Sequence, residues 1–286
     1  MRGARPFAAL EADLAARVAM AAGEMLVVAV SGGPDSVALA ALLAPLAHAC
    51  GGTLVLAHVN ARLRANAWQD EAVVLSVGAT LGARVFAVSL PHGSADEARL
   101  RDERYAALDA IARRVGASRI VTAHHAGDQT ETVLLALLRG AGPDGLTGIA
   151  PQRPLPSGTI LLRPMLGCEP ETLRAFVAAH HLPYVADPTN GDLTYRRNAV
   201  RAALETLRPS FPHLDAAVAR CAAILREERE GSPRAEQRAL LREAIAEATG
   251  DARDLSFERL DAAARALERG TPGRHFLRRG VELVVE

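Results

Sequence analysis

Three features of the 286-residue sequence predict an α/β fold: a doubly wound parallel sheet with a small, mostly helical C-terminal domain. Short aliphatic runs alternate with longer helical patterns ahead of residue 208. A Gly-Gly turn follows the first of these runs and opens a helix. Beyond Pro209 the strand-like runs give way to amphipathic helical patterns.

Taken in order, MLVVAV (Met25–Val30), TLVLAHV (Thr53–Val59), ARVFAV (Ala83–Val88) and SRIVTA (Ser118–Ala123) have strand length and β-branched content. Helical patterns fall between them, over Ser36–His48, Gln69–Gly82 and Asp96–Val115, and a further one over Gln129–Leu138. Strand and helix in alternation imply parallel pairing with right-handed crossovers, and uninterrupted apolar runs imply burial on both faces. Such sheets bind ligands at the carboxyl ends of their strands. The stretch GAGPDGLTGIAPQRPLPSG breaks the pattern and reads as a long loop. Helices over Glu169–His181 and Tyr195–Leu207 follow, separated by the turn ADPTNGD. PSFP (Pro209–Pro212) marks the boundary between a catalytic domain, residues 1–208, and a small domain, residues 209–286, of three helices and an end strand, VELVV.

Composition narrows the function. With 49% hydrophobic and 23% charged residues the chain can bury a core without disulfides or a structural metal. Cys50, Cys168 and Cys221 form no CxxC pair, which argues against a zinc ribbon or a redox dithiol and fits a reducing cytoplasm. All 33 basic residues are arginine. The absence of lysine excludes a GxxxxGK[ST] phosphate loop, a lysine Schiff base and a Ser–Lys dyad. Formal charge sums to zero, so any RNA contact must come from local arginine clusters rather than from bulk charge. No run approaches the roughly 18 apolar residues of a membrane span. The alanine-rich start, interrupted by Glu11, Asp13 and Arg17, reads as a surface helix. A cytoplasmic, membrane-free protein is expected, and a homodimer is left open.

The chemistry concentrates at the strand ends. In SGGPDS the glycines Gly32 and Gly33 let the backbone approach an anion, and Ser31 and Ser36 add hydroxyl donors. Pro34 suits a first helical turn. Asp35 would repel phosphate unless a cation lies between them, which argues for a metal-bound pyrophosphate. In TAHHAGDQTE, Asp128 and Glu131 are three residues apart, so both carboxylates share one helix face. Acids at a helix start are often only caps. Here the strand-end position would bring them toward Asp35, and three carboxylates with phosphate oxygens suit octahedral Mg²⁺. His124 and His125 precede them, one expected to pack inward and one to face the ligand. HVNARLR places Asn60 and Arg64 after the second strand, and LRDERY places Arg101 and Arg104 on one face of the third helix, which reads equally well as a solvated, salt-bridged surface. In YRRNAVR, Arg197 and Arg201 form a narrow basic stripe suited to a phosphate backbone, although on the residues alone a charge-balanced surface helix is the simpler reading.

These stretches, in this order, resemble the PP-loop ATP pyrophosphatases, with their Rossmann-like sheet, and within them the tRNA(Ile)-lysidine synthases. SGGPDS is similar to the PP-loop signature. The narrower likeness lies in HVN…LR, RDERY, HHAGDQTETVLLALLRGAG…GLTGI, LLRPML, DPTN and RRNAVR, within residues 25–208. The resemblance implies that ATP adenylates the 2-carbonyl oxygen of the wobble cytidine of an isoleucine tRNA with a CAU anticodon, releasing pyrophosphate. The ε-amine of free L-lysine then displaces AMP and gives lysidine. It further implies that Ser31, Gly32, Gly33, Pro34, Asp35 and Ser36 hold ATP, and that Asp35, Asp128 and Glu131 hold Mg²⁺. On the same reading a carboxylate or His124 would take the proton of the incoming amine, Arg104 would steady the nucleotide or adenylate, and Arg64, Arg197 and Arg201 would touch tRNA phosphates.

Three departures from the family pattern stand out. Ala61 and Arg62 replace a histidine and a glycine, and Gly127 replaces the first of two adjacent aspartates. The C-terminal part resembles only the small domain that follows the catalytic one, so selection by the acceptor stem is expected to be reduced or handled differently. Other readings are a PP-loop enzyme of tRNA thiolation or amidation, or a non-catalytic RNA-binding module. Dispersed cysteines weigh against thiolation, the lack of a glutaminase nucleophile motif against amidation, and the three retained carboxylates against a decayed module.

Overall fold

The structure, a computed structural model, describes residues 6–62, 67–91, 97–185, 196–250, 255–278 and 280–285. Helix α1 (Ala8–Val18) leads to β1 (Met25–Ala29), α2 (Pro34–Ala49), β2 (Thr53–Asn60), α3 (Trp68–Leu81) and β3 (Arg84–Ser89). Then come α4 (Glu97–Val115), β4 (Arg119–Val121), α5 (Ala126–Leu138), β5 (Gln152–Pro154), β6 (Ile160–Leu162), α6 (Pro170–Ala179) and α7 (Arg196–Leu207). The first sheet runs β3-β2-β1-β4-β6-β5, parallel except for β5. After β3 the chain returns through α4 to the far side of β1. Strand order therefore reverses between β1 and β4, and the crevice this opens at their carboxyl ends is where open α/β sheets take their ligands.

Successive side chains of a strand face opposite ways, and β1 serves two cores. Leu26 and Val28 pack with Leu39 and Leu43 of α2 and Leu173 and Phe176 of α6. Val27 faces Tyr105, Leu108 and Ile111 of α4. Burial on both sides explains the uninterrupted apolar run. At the opposite, amino-terminal edge, Arg119 binds Glu24 through Nε at 2.5 Å and donates Nη1 to the Val18 carbonyl, tying β4 to β1 and the end of α1. Leu14 and Val18 of α1 are buried, so the helix read as a surface element seats one face in the core.

Two expectations change. The Gly/Pro-rich stretch read as one loop contains a 3₁₀ turn, Pro143–Thr147, and the antiparallel edge strand β5. Strand β6 just beyond it was not foreseen, because three residues are too few to show a period.

Two compact units emerge: Met1–Gly140 with Gly148–Arg220, and Ala141–Thr147 with Cys221–Glu286. The sequence placed its boundary at 209. Helix α8 (Leu214–Glu230) instead contributes its first turns to the larger unit. In the smaller unit, α9 (Pro233–Thr249) and α10 (Phe257–Arg269) pack Leu241, Ile245, Leu260 and Ala264 against Leu277. Leu277 lies in β7 (Gly273–Arg278), which pairs with the foreseen end strand, β8 (Val281–Val285). Among the described residues no helix is long and apolar enough to cross a membrane.

Candidate active site

Ser31–Ser36 link β1 to α2 at the crevice, and their own side chains shape the turn. Ser36 Oγ accepts the Ser31 N–H at 3.1 Å and donates to the Gly33 carbonyl at 2.9 Å. Ser31 Oγ accepts the Gly33 N–H at 3.3 Å. Gly32 adopts φ +94°, and a Cβ there would lie 3.1 Å from the Asp70 carbonyl oxygen of α3. Both conformation and crowding thus require glycine. Gly33 and Pro34 begin α2 without a side-chain cap, so its first-turn N–H groups face the crevice without an intrahelical acceptor.

Helix α5 starts at the end of β4 with His125 as its N-cap. Asp128 N donates to His125 Nδ1 at 3.4 Å, and His125 N donates to Asp128 Oδ2 at 3.0 Å. With Nδ1 accepting, Nε2 carries the proton, and it lies 3.5 Å from Asp35 Oδ2. The first turn of α2 and the N-cap of α5 therefore meet through Asp35 and His125. Burial presses the His125 pKa down, but the carboxylates of Asp35, Asp128 and Glu131 outweigh it and hold it above the ordinary value. Burial likewise works to raise Asp128, yet His125, His124 and Arg197 leave it below the carboxylate range.

His124 is held differently. Its Nδ1 lies 2.9 Å from Thr122 Oγ1. Burial, aided by the charges of Arg163, Arg197 and His125 and opposed by Asp128, lowers its pKa to about 4. The pair thus divides into an inner ring whose pKa is pressed down and a cap that directs its Nε2–H toward Asp35. The sequence named His124 for proton transfer and left open which histidine faces the ligand; spacing could not show that His125 would reach across the crevice.

Glu131, with a side chain only 4% exposed, is gripped from α7. Arg197 Nε donates to Oε2 at 2.7 Å, and Arg201 donates Nε to Oε1 at 2.7 Å and Nη2 to Oε2 at 3.1 Å. Arg197 Nη2 also reaches Asp128 Oδ1 at 3.4 Å. The expected metal carboxylate and the expected phosphate contacts thus bind one another. Among the described residues no three His, Cys, Asp or Glu side chains are grouped to hold a metal ion. Asp35 Oδ1, however, is buried without a hydrogen-bond partner. Arg104 is exposed on α4, and Arg64 lies outside the described residues.

Further residues join the crevice that spacing did not reveal. Val185 N donates to the Gly32 carbonyl at 2.9 Å, which fixes the preceding Tyr184, half exposed, beside the turn. Trp68, the sole tryptophan, is 64% exposed on the first turn of α3, two residues from the Asp70 that crowds Gly32. Gln129 exchanges hydrogen bonds with Ile149, its Oε1 accepting the N–H at 2.6 Å and its Nε2 donating to the carbonyl at 3.3 Å. Gly127 leaves room for the His125 ring: a Cβ there would lie 2.9 Å from Cε1.

The model of the PP-loop domain matches residues 8–207. The chain belongs to this PP-loop family. It is 43% identical over 206 residues to a tRNA(Ile)-lysidine synthase of Ralstonia nicotianae, a match covering 70% of this chain and 44% of that protein. It is 40% identical over 210 residues to one of Gloeobacter violaceus, covering 73% and 65%. The chain thus spans about half to two thirds of the length of these two relatives. Among solved structures, a U34-tRNA thiolase of Methanococcus maripaludis with its [4Fe-4S] cluster shares the fold, at TM-score 0.64 and 14% identity over 74% of this chain and 76% of that one. In this PP-loop chain Cys50, Cys168 and Cys221 are free and differ in exposure, and burial pushes the Cys168 thiol up to about 11.

Proposed function

We propose that this PP-loop chain joins free L-lysine to the wobble cytidine of an isoleucine tRNA with a CAU anticodon, using ATP in the cytoplasm and giving lysidine, AMP and pyrophosphate. The carrying observation is the junction of Asp35 and His125, which unites the SGGPDS turn with the HHAGDQTE helix at the switch point. The relatives' name supplies the substrate.

ATP would lie with its phosphates on the Ser31–Ser36 turn and the N-terminus of α2. The cytidine 2-carbonyl oxygen bonds to the α-phosphorus as pyrophosphate leaves. The lysine ε-amine then bonds to C2, AMP departs with the oxygen, and the amine loses a proton. Asp35 and Asp128 favour the approach of an ammonium group, and His124, neutral at physiological pH, accepts the proton as a relay toward water. His125 braces Asp35 through its Nε2–H. Arg104 would steady the nucleotide or the adenylate from α4.

Mg²⁺ fits part of the expected set. The unpartnered Asp35 Oδ1 is a ready ligand, and Mg²⁺ needs only one or two carboxylates beside phosphates and water. Asp35 and Asp128 would hold it; Glu131 could join only if both arginines released it. When bound, the ion would offset the negative charge that develops on the pyrophosphate.

Arg64, Arg197 and Arg201 would track the tRNA backbone, and the exposed faces of Trp68 and Tyr184 would stack unpaired anticodon bases. The direct test supplies ATP, Mg²⁺ and labelled lysine with the CAU isoleucine tRNA, and elongator methionine tRNA as control. Label entering only the isoleucine tRNA is expected. Pyrophosphate release without label would move the acceptor elsewhere within PP-loop chemistry.

A further inference from the structure

Among the described residues Arg163 is a buried cation without a counter-charge. It follows β6 at the carboxyl edge of the sheet and is only 6% exposed. Its Nη1 donates to the Ala150 carbonyl at 2.7 Å, Nη2 reaches the Tyr105 hydroxyl at 3.5 Å, and Nε is buried with no partner. A guanidinium has five N–H donors and no acceptor, so one good bond to a neutral carbonyl leaves most of its capacity unused.

Three other arginines with largely covered side chains are matched by charge. Arg238, fully buried, meets Asp261, Glu227 and Glu228. Arg119 meets Glu24, and Arg208 meets Asp215. For Arg163 no carboxylate partner exists among the described residues. Tyr105 offers a hydroxyl oxygen rather than a carboxylate, and its ring already lies under a second guanidinium, Arg153, whose Cζ is 4.6 Å from the centroid. Burying an unpaired charge is costly unless a ligand completes the pair.

The position is inside the crevice. Leu162, the residue before Arg163, accepts the Thr122 N–H at 3.0 Å, and Thr122 Oγ1 contacts His124. We propose that Arg163 is the seat of a substrate oxyanion, which its planar fork grips through Nε and Nη2. This deepens the lysine-ligation reading and rests on it. That reaction brings in two such anions, the α-carboxylate of free lysine and the phosphate of the nucleotide or adenylate, and both have the geometry a guanidinium accepts.

The test compares wild type, R163Q and R163K. Glutamine keeps a neutral N–H for the Ala150 carbonyl, so a merely structural role is rescued by it and an anion seat is not. Equilibrium binding of ATP is one readout. The other is the kcat/KM preference for lysine over 1,5-diaminopentane, which lacks the carboxylate. A carboxylate seat predicts that R163Q loses about tenfold or more of that preference with ATP binding unchanged. A phosphate seat predicts the same loss in ATP affinity with the preference unchanged. R163K, which keeps the charge but not the fork, should fall between; if R163Q does not fold, a severalfold loss in R163K carries the test. Wild-type values in both readouts would overturn the proposal. Wild-type protein that binds ATP yet labels no tRNA would sink the lysine reading alone, leaving the ATP arm to judge Arg163.

Discussion

Arg201 of α7 holds Glu131 of α5 with two nitrogens, Nε on Oε1 at 2.7 Å and Nη2 on Oε2 at 3.1 Å. Arg197, one turn earlier, takes Oε2 and reaches on to Asp128. The helix proposed to meet the tRNA backbone is therefore bonded to Asp128, proposed to handle the ion and lysine, and to Glu131 one turn on. A change at either end would be felt at the other through these side chains.

Glu131→Gln removes the charge between two guanidinium groups. Losing one partner of a buried pair typically costs about 3–5 kcal/mol. Both arginine side chains are about a third exposed, 34% and 33%, so water takes up part of that loss. A destabilisation of about 3 kcal/mol is expected in urea unfolding. A change under half of that would mean the pair is a surface-like contact.

Arg197→Ala with Arg201→Ala tests the other end. If these side chains also neutralise phosphates, tRNA affinity should fall and the slope of log K against log salt should flatten by about 1–2 units. Weaker binding with the slope unchanged would confine both arginines to holding Glu131.

Asp128→Asn separates charge from capping. An asparagine oxygen can still accept the His125 N–H that Asp128 Oδ2 now accepts at 3.0 Å, so α5 should start normally. ATP-dependent adenylation should be lost while tRNA binding stays near wild type. Full activity would remove Asp128 from the chemistry.

The first four strands were legible because each lies in an apolar run, and the switch point follows from parallel connection rules, whereas β6, interior but three residues long, was not. The SGGPDS turn was legible because only a backbone meant for close approach needs Gly-Gly before a helix. Less could be read where meaning depends on distant contacts. Arg197 and Arg201 read as a basic stripe because sequence spacing does not reveal that Glu131 packs opposite. Arg163 lay inside the quoted LLRPML, but its missing counter-ion exists only in three dimensions. Strands β5 and β7 escaped because edge strands carry polar residues and little period.

Gly127→Ala probes one departure from the family pattern. Alanine would raise helix propensity by about 1 kcal/mol, but its Cβ would push into the His125 ring, whose Cε1 and Nδ1 would lie 2.9 and 3.1 Å away. Displacing the ring gives up a cap of comparable size, about 1 kcal/mol. The unfolding midpoint should hardly move, while adenylation falls as Asp35 loses its brace. Unaltered adenylation would show that the position of His125 is immaterial to the reaction.

The Glu24–Arg119 pair makes a prediction about acid stability far from the crevice. A hydrogen bond from Arg119 lowers the Glu24 pKa against the opposing pull of burial, helped by the Ala21 N–H. A carboxylate depressed in the folded state stabilises above its unfolded pKa, about 4.3. That contribution drains away as pH falls through the lower folded value. Glu24→Gln should therefore melt below wild type at pH 7, and the gap should close as pH falls below about 4. Because Arg119 also bonds the Val18 carbonyl, Arg119→Ala should cost more than Glu24→Gln at pH 7, releasing α1 as well as the strand edge. Differential scanning calorimetry of both variants from pH 7 to pH 3 checks this, and a gap for Glu24→Gln that stays constant over that range would show that the carboxylate charge adds nothing to the fold.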